Sequence, residues 1–220
     1  MIKQARINSS SSEAKVEKTV SDAKFTQDYV ITMDDIVREG HPALRIVTEP
    51  VKLPLTEEDR ETLLCMLQFL KNSQDEEMAA KYKLRSGVGL SANQIGLNKR
   101  MFVMYAQDEN GTLIEHALVN PKIVSHSLAM VYLPESEGCL SVDRPIQGFV
   151  PRYDSVKVKA YDLAAGKEVQ LRFKGYTSII IQHEMDHLDG KMFYDRINKE
   201  NPFKLPQGVA IRSLYDREEK

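Results

Sequence analysis

The chain has 220 residues, 42% hydrophobic and 28% charged, a length and composition that suit one globular domain with a sizeable core. Its 30 Lys plus Arg nearly balance 32 Asp plus Glu for a net charge of −2, so overall charge gives no case for a nucleic-acid partner or an anionic membrane surface. Two cysteines, Cys65 and Cys139, allow at most one disulfide, which suits a reducing cytoplasm better than secretion. No stretch approaches the roughly 18 apolar residues of a membrane span, and MIKQARINSSSSEAKVEK lacks the apolar centre of a signal peptide. Glu13, Glu17 and Asp22 argue against an organelle transit peptide.

Residues 1–29 are polar and Ser-rich, with too little apolar content to offset the entropy of ordering them. They are expected to form a flexible N-terminal extension, followed by a single domain over 30–220. TEEDRETLLCMLQFLKNS predicts a helix: Thr56 can cap it, acids fill its first turn, and Leu63, Leu67 and Leu70 recur at helical spacing. Cys65 reads as core filler on that helix. After a polar connection, residues 99–106, 117–127, 155–163 and 167–175 are short β-rich runs, and Ala164-Ala165-Gly166 predicts a hairpin turn between the last two.

IIIQHEMDHLDG, residues 179–190, combines strand-prone isoleucines with helix-prone EMDHL. A helix is expected, capped by Thr177 or Ser178 and ended by Gly190, and its apolar first half implies a helix inside the domain. The fold class is therefore α+β, with small antiparallel β-sheets wrapped around a buried central helix that carries the HExxH pattern.

Positions i and i+4 share a helix face about 6 Å apart, so His183 and His187 can aim ring nitrogens at one metal ion. Glu184 is rotated away from the metal but close enough to serve a water beside it, which is metal-activated hydrolysis with a carboxylate base. The bland alternative, two satisfied core histidines, accounts for neither the glutamate nor the spacing. A third ligand is needed. The H-x-x-G-x-x-H continuation is excluded because position 193 is Phe. Glu200, in polar NKENP, is a weaker candidate than Cys139 in ESEGCLSVD, whose thiolate suits a divalent ion. Cys139 could equally be a buried small hydrophobe, and spacing does not choose. In RSGVGLSANQIG, the glycines permit close backbone approach to a peptide-like ligand, and Gln94 is an amide donor suited to a developing oxyanion. No βαβ run surrounds these glycines, which argues against a nucleotide.

Taken together, GVGLSANQ, EGCLS and QHEMDH, with the start ITMDDIVREGHPALR, resemble the signature stretches of the bacterial peptide deformylases over about Ile31 to Asn201. The long connection before the first stretch and the ending MFYDRINKENPF are similar to the larger form found in Gram-positive bacteria of low genomic GC. The resemblance implies a hydrolase that removes the formyl group from the N-terminal formyl-methionine of new polypeptides, releasing formate. It places metal ligands on Cys139, His183 and His187, the base on Glu184, and oxyanion donors on the Gln94 side chain and the Leu140 N–H. It puts the methionine pocket on Val88 and Gly89, with Arg85, Tyr176, Ile179 and Ile180 flanking. It further implies one divalent metal, Fe2+ in the cell with Zn2+, Ni2+ or Co2+ in purified protein, sensitivity to air, and a cytoplasmic monomer that meets nascent N-formyl-methionyl peptides at the ribosome. The chain departs from the family's usual pattern at Ser91, commonly alanine, and at Asn93, commonly proline or threonine. Asp186 is open between a group supporting the site and a structural ion pair on the helix. Two rival functions are an endopeptidase with a non-Cys third ligand and a catalytically idle metal-binding paralogue.

Overall fold

The computed structural model describes residues 24–215. The first long element is α1, Glu57–Gln74. It starts where expected, because the Thr56 hydroxyl accepts the Asp59 N–H at 3.1 Å and three acids occupy its positive end. Leu63, Met66 and Leu70 on its inner face are fully buried, each contributing about 1.5–3 kcal/mol of transfer free energy. Cys65 fills the core beside them and donates to the Tyr29 carbonyl at 3.2 Å.

The polar connection that follows holds two more elements, α2 (Glu76–Tyr82) and the three-residue strand β1 (Gly89–Ser91). A 3-10 turn, Ala92–Ile95, follows and closes on Gly96 at φ +81, a left-handed conformation that favours glycine. Then come β2 (Met101–Gln107), β3 (Leu113–His126), β4 (Met130–Tyr132), β5 (Arg152–Tyr153), β6 (Ser155–Asp162) and β7 (Lys167–Lys174). The predicted hairpin joins β6 to β7, with Gly166 at φ +64.

One sheet has five antiparallel strands in the order β1-β2-β3-β6-β7. Alternation along β2 splits its side chains between two cores. Met101 and Val103 pack with α1, while Phe102, Met104 and Ala106 pack with the helix α3 (Gly175–Leu188). The second sheet, β5-β4-β8, is only partly antiparallel: β4 pairs in parallel with β8 (Ile211–Ser213). The expectation of antiparallel sheets alone is corrected at this pair. Such short strands lack enough alternation to announce themselves.

α3 begins earlier than expected, at Gly175, which takes φ +56. Thr177 is therefore inside the first turn, and its hydroxyl reaches back to accept the Lys174 N–H at 3.2 Å instead of standing at the cap. The helix ends as predicted, with Gly190 just beyond it at φ +70. Ile179, Ile180 and Ile181 are 2%, 4% and 0% exposed. Consecutive residues point in three directions on a helix, so this one is enclosed all round. The docked chain also reaches further back than the expected boundary, since Phe25 is buried in the α1 core and Tyr29 packs against it. The rest of the expected extension, 1–23, lies outside the described residues. No helix among the described residues is long and apolar enough to cross a membrane.

Candidate active site

Three separate stretches of chain meet at the α3 face that carries His183 and His187. Cys139, on the loop between β4 and β5, joins them, and its Sγ and one ring nitrogen from each histidine all lie within 4.8 Å of one another. His187 Nε2 is 3.1 Å from His183 Nε2 and 3.3 Å from Cys139 Sγ. Glu200, the alternative ligand, is exposed and outside this group.

The chemistry of this donor set fits a divalent metal. The Glu137 carboxylate accepts from His183 Nδ1 at 2.8 Å, so the Nε2 lone pair turns inward, as a ligating imidazole requires. Burial, reinforced by the charge on His183, holds His187 well below its usual pKa. Burial would lower His183 too, but its hydrogen bonds to Cys139 and Glu137 win and push it well above its usual value. Three potential donors thus face one another at close range, an arrangement that a cation would satisfy.

Glu137 was not singled out from the sequence, and neither was Arg152, which is fully enclosed and donates to both Glu137 oxygens at 2.8 Å. Arg152 also bonds Asp186, which is shared with Arg196. Burial alone would raise the Glu137 carboxyl, yet the Arg152 charge and the hydrogen bonds hold it down to about 2. Asp186 is thus both an ion-pair partner on the helix and part of the support behind His183. Arg152→Met keeps most of the volume but breaks the buried ion pair, leaving Glu137 with His183 and Asp186 with Arg196 alone, so it is expected to cost about 3–5 kcal/mol. Urea unfolding of metal-free protein would check this, and a loss below about 1 kcal/mol would refute it.

Glu184 is 3% exposed and faces β1. Residues 89 and 91 share one face of that strand. At Gly89 a Cβ would collide with the Glu184 carboxylate, so the glycine makes room for it. At Ser91 the hydroxyl donates to Glu184 Oε2 at 2.6 Å. Burial raises the Glu184 carboxyl above its ordinary value, against the His183 charge and the Ser91 hydrogen bond, which lower it. A base acts only when ionised, so on the expected role of Glu184 kcat/KM should fall as pH drops through this raised pKa. Ser91→Ala removes a lowering interaction and should move that acidic limb to higher pH. An unmoved limb in a pH-rate profile would rule out this coupling.

Gln94 is fixed from both ends: its Oε1 accepts the Ser91 N–H at 2.9 Å and its Nε2 faces Ser141 Oγ at 3.2 Å and Cys139 Sγ at 3.6 Å. Asn93 donates to the His187 carbonyl at 2.7 Å and to the Ala43 carbonyl at 3.2 Å. A cavity of about 340 Å³ opens beside these groups. Its walls include Gln94, Cys139, Leu140, His183 and Glu184 and all six residues expected to bind substrate, Arg85, Val88, Gly89, Tyr176, Ile179 and Ile180. Arg85 stands at the rim with its donors directed at the Cys139 and Val142 carbonyls and Asp143, so it clamps the Cys139 loop.

A thiol, two imidazoles and a buried carboxylate around an apolar-walled cavity define the class of metal-dependent hydrolases that activate water with a glutamate. The comparisons name the family. The polypeptide deformylase family pattern matches residues 33–203. Shouchella clausii peptide deformylase is 57% identical over 184 residues, 83% of this chain and 100% of that protein. Peptide deformylase 2 of Bacillus subtilis is 55% identical over 183 residues, 83% and 99% of the two chains. The crystal structure of peptide deformylase from Thermus thermophilus aligns with a TM-score of 0.61 at 30% identity, covering 76% of this chain and 86% of that one. The chain belongs to the polypeptide deformylase family.

Proposed function

We propose that this chain removes the N-formyl group from the amino-terminal methionine of newly synthesised proteins and releases formate, using the residues gathered at α3 as follows. Cys139, His183 and His187 would hold one divalent metal, Fe2+ in the cell, which would supply Lewis acidity and lower the pKa of a water. α3 serves as the central helix of the site, carrying two ligands and the base on one turn. Glu184, held by Ser91 and admitted by Gly89, accepts the proton of the attacking water and later delivers it to the departing amine. The Gln94 amide and the Leu140 N–H stabilise charge that develops on the formyl oxygen, one such donor being worth on the order of 3 kcal/mol. Val88, Tyr176, Ile179 and Ile180 bury the methionine side chain. The enzyme works as a cytoplasmic monomer on nascent chains at the ribosome.

The observation that carries this reading is the convergence of GVGLSANQ, EGCLS and QHEMDH on one cavity, with Glu184 beside the Cys139, His183 and His187 donor group. Formate release from formyl-Met-Ala-Ser by anaerobic, iron-loaded protein tests it, with metal analysis of the same sample. Absence of formate, or cleavage of unformylated peptides at internal bonds, would overturn it.

A further inference from the structure

One wall of the cavity has a second layer. Leu133, Tyr176 and Ile179 line the cavity, whereas Val131 and Leu214 do not. All five nevertheless form one apolar cluster, in which Ile179 is 2% exposed and Leu214 6%. Leu214 directly follows β8 and donates its N–H to the Tyr132 carbonyl at 2.9 Å, extending the parallel pairing of β8 with β4. Arg212 pins the same segment to Asp154 at 2.7 Å. The family pattern ends at residue 203, so Leu214, unlike Val131, comes from a stretch of chain beyond it.

We propose that the C-terminal segment Ile211–Leu214 is a specificity-determining part of the side-chain pocket, with Leu214 holding Ile179 and Tyr176 forward and so setting the pocket's width. This rests on the reading of the cavity as the formyl-methionine site. A close-packed cluster transmits a change in one member to its neighbours. When a buried backing residue is trimmed, surrounding side chains relax part-way into the space it leaves. Here that relaxation draws the Ile179 and Tyr176 wall away from the substrate. A slim unbranched side chain then loses contacts, while a bulkier aromatic one gains room.

The test compares formate release from formyl-Met-Ala-Ser and formyl-Phe-Ala-Ser by the full chain and its Leu214→Ala, Leu214→Val and Leu214→Met variants, with metal content and thermal midpoint measured on each. In Leu214→Ala, KM for the methionine peptide should rise about fivefold with kcat within about twofold, and the Phe-to-Met ratio of kcat/KM should rise about tenfold, the scale a hydrophobic pocket discriminates. Leu214→Val should move the ratio the same way by a smaller step, and it carries the test if the alanine variant does not fold. Leu214→Met, which conserves volume, should keep the parental ratio. Lowered thermal midpoints with an unchanged ratio in both smaller variants would overturn the proposal and leave β8 a stabilising strand. Lack of formate from the parent with formyl-Met-Ala-Ser would overturn the deformylase reading itself, so the two failures are distinguishable.

Discussion

Glu184→Gln is expected to bind metal stoichiometrically yet turn over on the order of 10³-fold more slowly than the parent, within the range that general-base catalysis supplies. The amide is nearly isosteric and can still accept from Ser91, whose Oγ is 2.6 Å from Oε2 in the parent. It keeps the geometry of the site and loses only the ability to take a proton. The proposed ligand atoms lie on Cys139, His183 and His187, so metal content should not change. Elemental analysis beside a formate assay separates the two roles. Turnover within tenfold of the parent would remove Glu184 from the role of base, and loss of metal would make it a ligand.

Cys139→Ala should fail the other way, losing both metal and turnover. The substitution deletes the only thiolate of the donor group and leaves two imidazoles on one helix, one ligand short of the three that catalytic sites usually provide. Affinity should fall by more than the about 10–100-fold that loss of an outer-shell partner costs. Stoichiometric metal after dialysis of the variant would overturn the assignment of Cys139. The fold should survive, because Cys139 is a small member of a cluster that also holds Leu44, Val142, Val150, Met192 and Phe193.

What was legible in the sequence follows the range of the interactions. His183, Glu184 and His187 were readable because a helical repeat fixes their relation within one turn of chain. Thr56 and Gly190 were readable for the same reason, as local capping signals. Cys139 was readable as a candidate from its residue type, but only the resemblance chose it over a buried small hydrophobe, since no local period links it to α3. Glu137 and Arg152 carried no signal, because an ion pair between a loop and a short strand forms only once both have folded against α3. β1 and β8 were missed for want of length. The start of α3 was missed because Gly175 falls within the β-rich run 167–175, whereas its positive φ admits the turn into the helix.

The alternation along β1 has a consequence for how this stretch tolerates change. Gly89 and Ser91 face the Glu184 carboxylate, while Leu90 between them belongs to the core beneath α1. A saturation library across these positions would therefore return three different spectra of survivors: glycine alone at 89, apolar residues of leucine's size at 90 selected for folding, and small residues at 91 selected for rate. Three neighbouring codons would answer to three separate demands, and position 89 would admit no compromise among them.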